Sequence, residues 1–144
     1  MLGGRNPGLG LAILRIMLGL IFVMHGWPKL AGGIDELAAL LESFGIPLPV
    51  IVASGIAVLE TVGGACLIIG WSVTPLALLL AVHMVNGIFL VHLSNGFYVV
   101  GPGQGGYEFN LLLVAGLLTV ILAGSGIATI RSIFAKDIEV VIDV

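Results

Sequence analysis

The chain has 144 residues, 59% hydrophobic and 9% charged, with a formal net charge of -3 and a mean hydropathy of +1.23. A soluble domain of this size must cover its surface with polar groups, and 5 Lys+Arg with 8 Asp+Glu cannot do that. Composition therefore excludes a soluble enzyme, a disordered chain and a nucleic-acid binder, and points to a lipid bilayer, where the 22 glycines suit closely packed helices.

The first apolar run, residues 9–27, is broken only by Arg15 and His25. Arg5 before it resembles the start of a signal peptide, but the internal Arg15, the length and the lack of an A-x-A end argue against one. In the loop 28–49, Ile34, Leu37, Leu40, Leu41 and Phe44 recur at helical spacing and Gly45 follows as a stop. This predicts a short amphipathic helix, lying in the interface as a connector or folded over the bundle as a lid. Residues 50–71 form a second run, broken by Glu60, and residues 75–93 a third, carrying His83, Asn86 and His92. The loop from Asn95 to Tyr107 has five glycines and no G-K-[ST], so it is not a phosphate loop; Phe97–Val100 can pair across Gly101–Gly106 as a short hairpin. The fourth run spans residues 110–130. Each run approaches the ~20 residues that cross ~30 Å of hydrocarbon at ~1.5 Å per residue.

The expected fold is all-α: an integral membrane four-helix bundle of antiparallel, up-down spans over residues 1–131, with a cytosolic tail over 132–144. The tail alternates acidic and apolar residues from Asp137 to Val144, as a strand that joins a partner or as disordered chain. Arg5, Arg131 and Lys136 flank the bundle, whereas the loop 28–49 has one Lys29 against three acids and the loop 94–109 has no basic residue. Both termini are therefore expected in the cytoplasm, in a multi-pass protein of the inner membrane.

An ionisable side chain inside a span costs ~2.5–3.5 kcal/mol or more, so it should face a partner. Counting from the cytoplasmic ends of the spans puts Arg15 ~10 Å deep, Glu60 ~15 Å and His83 ~12 Å. The expected buried polar layer is an Arg15–Glu60 ion pair, with His83 and Asn86 hydrogen-bonded to it. Ala53, Ala57 and Gly64 share the Glu60 side of the second span and would let a neighbour approach. This layer either fixes helix packing or carries function. Nearer the outer edge, His25, Lys29, His92, Glu108 and Asn110 could converge under the two outer loops and line a pocket for a planar, quinone-like or aromatic ligand. On the plainer reading, Trp27, Tyr98 and Tyr107 there are interfacial anchors. Two histidines are a weak signal for haem b, and His25, His92 and Glu108 lack the close spacing of a metal site, so no metal is expected. Cys66 is the single cysteine and lies in an apolar setting.

The first span reads from Arg15 through Gly19, Phe22, His25, Gly26 and Lys29 to Leu30. The second contains Glu60, Gly63, Gly64, Leu67 and Gly70, and the fourth opens with Tyr107-Glu108-Phe109-Asn110. Over roughly residues 10–130 this combination resembles the DoxX family of small bacterial and archaeal membrane proteins. The family's marked polar and glycine positions fall on Arg15, His25, Gly26, Lys29, Glu60, Gly64, Gly70, Glu108 and Asn110. The sequence departs from the family's Gly-x-Gly-x-x-Ser-x-Asp ending: Gly124 and Gly126 are present, but Thr129 and Arg131 take the last two places.

The resemblance implies membrane redox chemistry, as in a subunit of an archaeal thiosulfate:quinone oxidoreductase or in quinone and catechol detoxification. The leading expectation is a quinone-linked membrane subunit that, if catalytic, is part of an oxidoreductase with a soluble or membrane redox partner. The alternatives are a scaffold that recruits soluble redox enzymes and a small-solute or proton-coupled transporter. Beyond the lipid bilayer, a homo-oligomer packed through glycine-rich faces is also expected.

Overall fold

Asn6 and Pro7 start the first helix. The Asn6 side chain accepts from the Leu9 amide at 3.0 Å, and a proline costs nothing in a first turn whose N–H groups have no helical partner. The computed structural model describes residues 6–101 and 104–129. In it α1 spans Pro7–Pro28 and a π-helical turn, Lys29–Gly33, leads into α2, Ile34–Ser43; Gly32 (φ 152°) breaks the helical course between them. The stop at Gly45 is a left-handed turn (φ 74°) in which the Ile46 amide returns to the Leu41 carbonyl. α3 spans Pro49–Ile69, α4 Val73–Asn95 and α5 Glu108–Ala123.

Among the described residues all regular structure is helical. The runs Pro7–Ser43, Pro49–Ile69 and Val73–Asn95 are long and apolar enough to cross a membrane, and α5 is a shorter apolar helix. Their large apolar side chains point outward as often as inward: Met24, Trp27, Phe89 and Leu122 are all exposed. An apolar exterior around an apolar core is the pattern of a helix bundle solvated by lipid.

The core is built from Leu18 and Phe22 of α1, Leu67 of α3, Leu80 of α4, and Leu117 and Val120 of α5. α1 packs along α3 and also meets α5, and α4 packs along α5. The α1–α3 seam is made of glycine. A Cβ at Gly64 would stand 2.7 Å from the Gly19 carbonyl oxygen, and one at Gly26 would stand 2.5 Å from Thr61 Oγ1. The two ends of α3 have different neighbours: its second half meets α4, whereas its first half packs on α2, where Ala38 and Leu41 sit against Ala53.

The fourth helix is shorter than the run 110–130 suggests. Gly124 (φ 96°) ends it, and residues 124–129 leave the helical path to pack against the start of α1. There the Ile127 amide donates to the Gly8 carbonyl at 3.1 Å. The glycine-rich loop does fold back on itself: Gly105 and Gly106 amides donate to Val99 and Tyr98 carbonyls, each at 3.0 Å, without forming a regular strand. Arg5, Arg131, Lys136 and the tail 132–144 lie outside the described residues.

Gly64→Val should overpack the seam and lower stability by about 1–3 kcal/mol, read as a fall in melting temperature of the detergent-purified protein. Gly10→Ala, where an added Cβ meets nothing within 4 Å, should cause no fall.

Candidate functional site

Among the described residues, π-helical turns interrupt the helices at Leu59–Gly63 and Ile88–His92, and a third such turn, Lys29–Gly33, spans the break at Gly32 between α1 and α2. Such a turn inserts one residue into the α-helical course and re-aims the side chains around it, at a cost in regular hydrogen bonding. Each of these turns carries a polar side chain, Lys29, Glu60 or His92, and all three border one cavity of about 740 Å³. The cavity lies between the α2 ends of the long helices and is walled mostly by aliphatic side chains, within the size range of small-molecule sites.

Glu60 is 3% exposed. Its carboxylate accepts from Lys29 Nζ on Oε2 and from His83 Nε2 at 2.9 Å on Oε1, so the turn after α1, α3 and α4 each supply one member of the cluster. With a carboxylate as acceptor, the His83 ring donates from Nε2 in this bond, and Nδ1 is the ring's other polar edge. Lys29 uses one of its N–H groups on Glu60 and keeps two. A carboxylate in an apolar interior is costly by several kcal/mol, and these two donors offset that cost.

The Arg15–Glu60 pair expected from the sequence does not form. Arg15 is fully buried, but its Nη2 donates to the Ala128 carbonyl at 2.9 Å and the Ile127 carbonyl at 3.5 Å, and its guanidinium fills the space above Gly70. Its Nε and Nη1 have no hydrogen-bond partner among the described residues. The cause is register. Gly19 faces Gly64 and Gly26 faces Thr61, so Arg15 is level with Gly70 and lies roughly 16 Å along the axis from Glu60. Depth counted from the helix ends misleads because α1 overhangs the end of α3 by about two turns. Lys29 reaches Glu60 because helical side chains lean toward the N-terminus of their helix and cover the turn before them.

The other candidates divide. His25, Asn86, His92 and Asn110 border the cavity with Lys29, Glu60 and His83, so the two polar groups read from the sequence meet in one space. His25 lies on the rim, its ring 6.3 Å from that of Phe109. Asn86 is exposed and makes no bond to Glu60. Asn110 is buried with its Nδ2 3.8 Å from Met84 Sδ. His92 Nδ1 donates to the Gly105 carbonyl at 2.6 Å and so ties down the glycine-rich loop. Glu108 is not a wall of the cavity: its Oε1 accepts from the Val99 amide at 2.8 Å and braces the same loop. His25, His92 and Glu108 form no metal-binding group; among the described residues no three His, Cys, Asp or Glu side chains do.

Lys29→Met should leave Glu60 short of a donor and cost about 3 kcal/mol, as for one half of a buried pair. Glu60→Gln in the same chain should restore part of that loss, giving a coupling of at least ~1 kcal/mol in a double-mutant cycle of melting curves.

The DoxX family pattern matches residues 10–93, a segment that holds Lys29, Glu60, His83 and His92. The chain is 30% identical over 118 residues to the Bacillus subtilis (strain 168) protein named "Putative oxidoreductase CatD", covering 81% of each. It is 27% identical over 126 residues to the Escherichia coli (strain K12) protein named "Inner membrane protein YphA", covering 86% of this chain and 89% of that one. No solved structure matches it. With an apolar helical exterior, a polar cluster shared by three helices and this coverage, the chain belongs to the DoxX family of membrane proteins.

Proposed function

We propose that this protein is a four-span inner-membrane subunit whose cavity binds the planar head of a quinone-like ligand. The observation that carries the reading is the Lys29–Glu60–His83 cluster at the wall of an otherwise aliphatic cavity. A quinone presents carbonyl oxygens that accept, and its reduced form presents hydroxyls that donate. Lys29 has N–H groups to spare for the first, and the Glu60 carboxylate accepts from the second. The same pair thus serves both oxidation states. Reduction of a quinone takes up two electrons and two protons. A proton taken up at His83 Nδ1 releases the Nε2 proton to the Glu60 carboxylate, which then passes it to the ligand oxygen. The electrons come from a partner redox protein, which is why the chain is read as a subunit; the printed name of the Bacillus relative fits this reading. The spans alternate in direction, with both termini in the cytoplasm as the Arg5, Arg131 and Lys136 distribution favours. The cavity then lies toward the outer face.

Menadione should raise the melting temperature of the purified protein in a dose-dependent way, by the equivalent of ~2.7 kcal/mol at a hundredfold excess over Kd. Lys29→Met should abolish the increment measured from its own baseline, while His83→Gln, which can still donate to Glu60, should keep it. No increment in the unmodified protein with any of a series of benzoquinones and naphthoquinones would refute the reading.

A further inference from the structure

We infer that the cavity opens sideways between α3 and α4, and that its ligand carries a long alkyl or isoprenoid tail which runs through this gap into the bilayer. The inference rests on the cavity reading above and adds the shape of the ligand and its route of entry.

α3 and α4 meet closely around Gly63, where an added Cβ would lie 3.7 Å from Leu80 Cδ1 and 3.9 Å from Leu76 Cδ2. Beyond that level the first half of α3 turns its packing to α2, away from α4. Among the described residues, the side-chain hydrogen bond that joins the two helices is that between His83 and Glu60, and it marks the floor of the gap. Above this floor, Gly55 lines the cavity with nothing within 4 Å of where its Cβ would stand. On the facing helix, Leu90 above the floor is 42% exposed, and Val82 at the floor and Leu79 one turn below it are 52% and 53% exposed; all three belong at once to the cavity wall and to the apolar outer surface. The cavity is therefore not enclosed, and its open side is aliphatic.

The occupant follows from charge and shape. The cation Lys29 is already paired with the anion Glu60, so the polar end offers hydrogen bonds without net attraction for a phosphate. It suits a neutral head bearing carbonyl or hydroxyl oxygens. An aliphatic slot that runs from such a head to a lipid-facing surface suits a hydrocarbon chain, and a chain left half in lipid loses little on entering.

The test uses the full chain in phosphatidylcholine nanodiscs with two ligands that share one head: menadione, and the same naphthoquinone carrying a four-isoprene tail. Ligand amounts are expressed per lipid, so that partitioning cancels. The tailed ligand should bind as tightly as menadione, because an open side admits the tail, whereas an enclosed cavity would exclude it. Gly55→Trp should weaken the tailed ligand about tenfold relative to menadione, whereas Leu122→Trp, on the outward face of α5 and 85% exposed, should leave the two equal. A diazirine on the tail should crosslink residues 52–59 and 79–90 of the unmodified protein, a readout that survives if Gly55→Trp does not fold. Binding of menadione with loss of binding of the tailed ligand, as expected if a membrane lipid or a second copy of the chain fills the gap, overturns the proposal. So does crosslinking confined to α1 and α5. If neither ligand binds, the cavity reading itself falls.

Discussion

No side chain fits where α1 crosses α3, and much of the molecule follows from that. Gly19 and Gly64 bring two backbones into contact, and Gly26 takes the same role against Thr61. With lipid outside, apolar burial gives little reason for two helices to choose one register over another, so close packing of small residues decides. This seam sets Glu60 at the level of Gly26, where Lys29 can reach it from the next turn. It sets Arg15 opposite Gly70, far from the acid it would otherwise neutralise. Two buried charges that could have formed one pair are held apart and find separate solutions.

Glu60 is compensated by side chains and Arg15 by backbone carbonyls, and the difference matters for chemistry. Carbonyls from residues 127 and 128 cannot take up or release a proton, so Arg15 is a fixed element of structure. The Glu60 cluster consists of groups that can exchange protons, and it faces open space. The π-helical turns support the same distinction. All three lie at the cavity end of the bundle, where regular hydrogen bonding is given up to aim Lys29, Glu60 and His92, and none lies at the Arg15 end.

The spans were legible because charges are scarce and their gaps mark the helices. The short helix over the cavity was legible from Ile34, Leu37 and Leu41 at helical spacing, and its place as a wall of the cavity was one of two readings left open. The stripe Ala53, Ala57, Glu60, Gly64 also showed which side of α3 is buried, and all four are. Register was not legible, because it depends on how far one helix overhangs another, and a single sequence carries no mark of that. The stripe could have been matched to Gly19 and Gly26 as a second small-residue row, which would have moved Arg15 away from Glu60. The end of α5 was misread because Ile127 and Ala128 continue the apolar run past Gly124, and hydropathy does not distinguish a helix from a buried turn. π-Helical turns have no sequence signature, so the joining of Glu60 to the outer group that holds Lys29 and His92 could only be seen in three dimensions.

The carbonyls that hold Arg15 stand 112 and 113 residues further along the chain. A ribosome needs on the order of ten seconds to make that stretch. Through that interval α1 carries a guanidinium that its final partners cannot yet satisfy. Biogenesis of this protein therefore has a closing step: the last helix and the turn after it must arrive before the first helix can settle at its final depth.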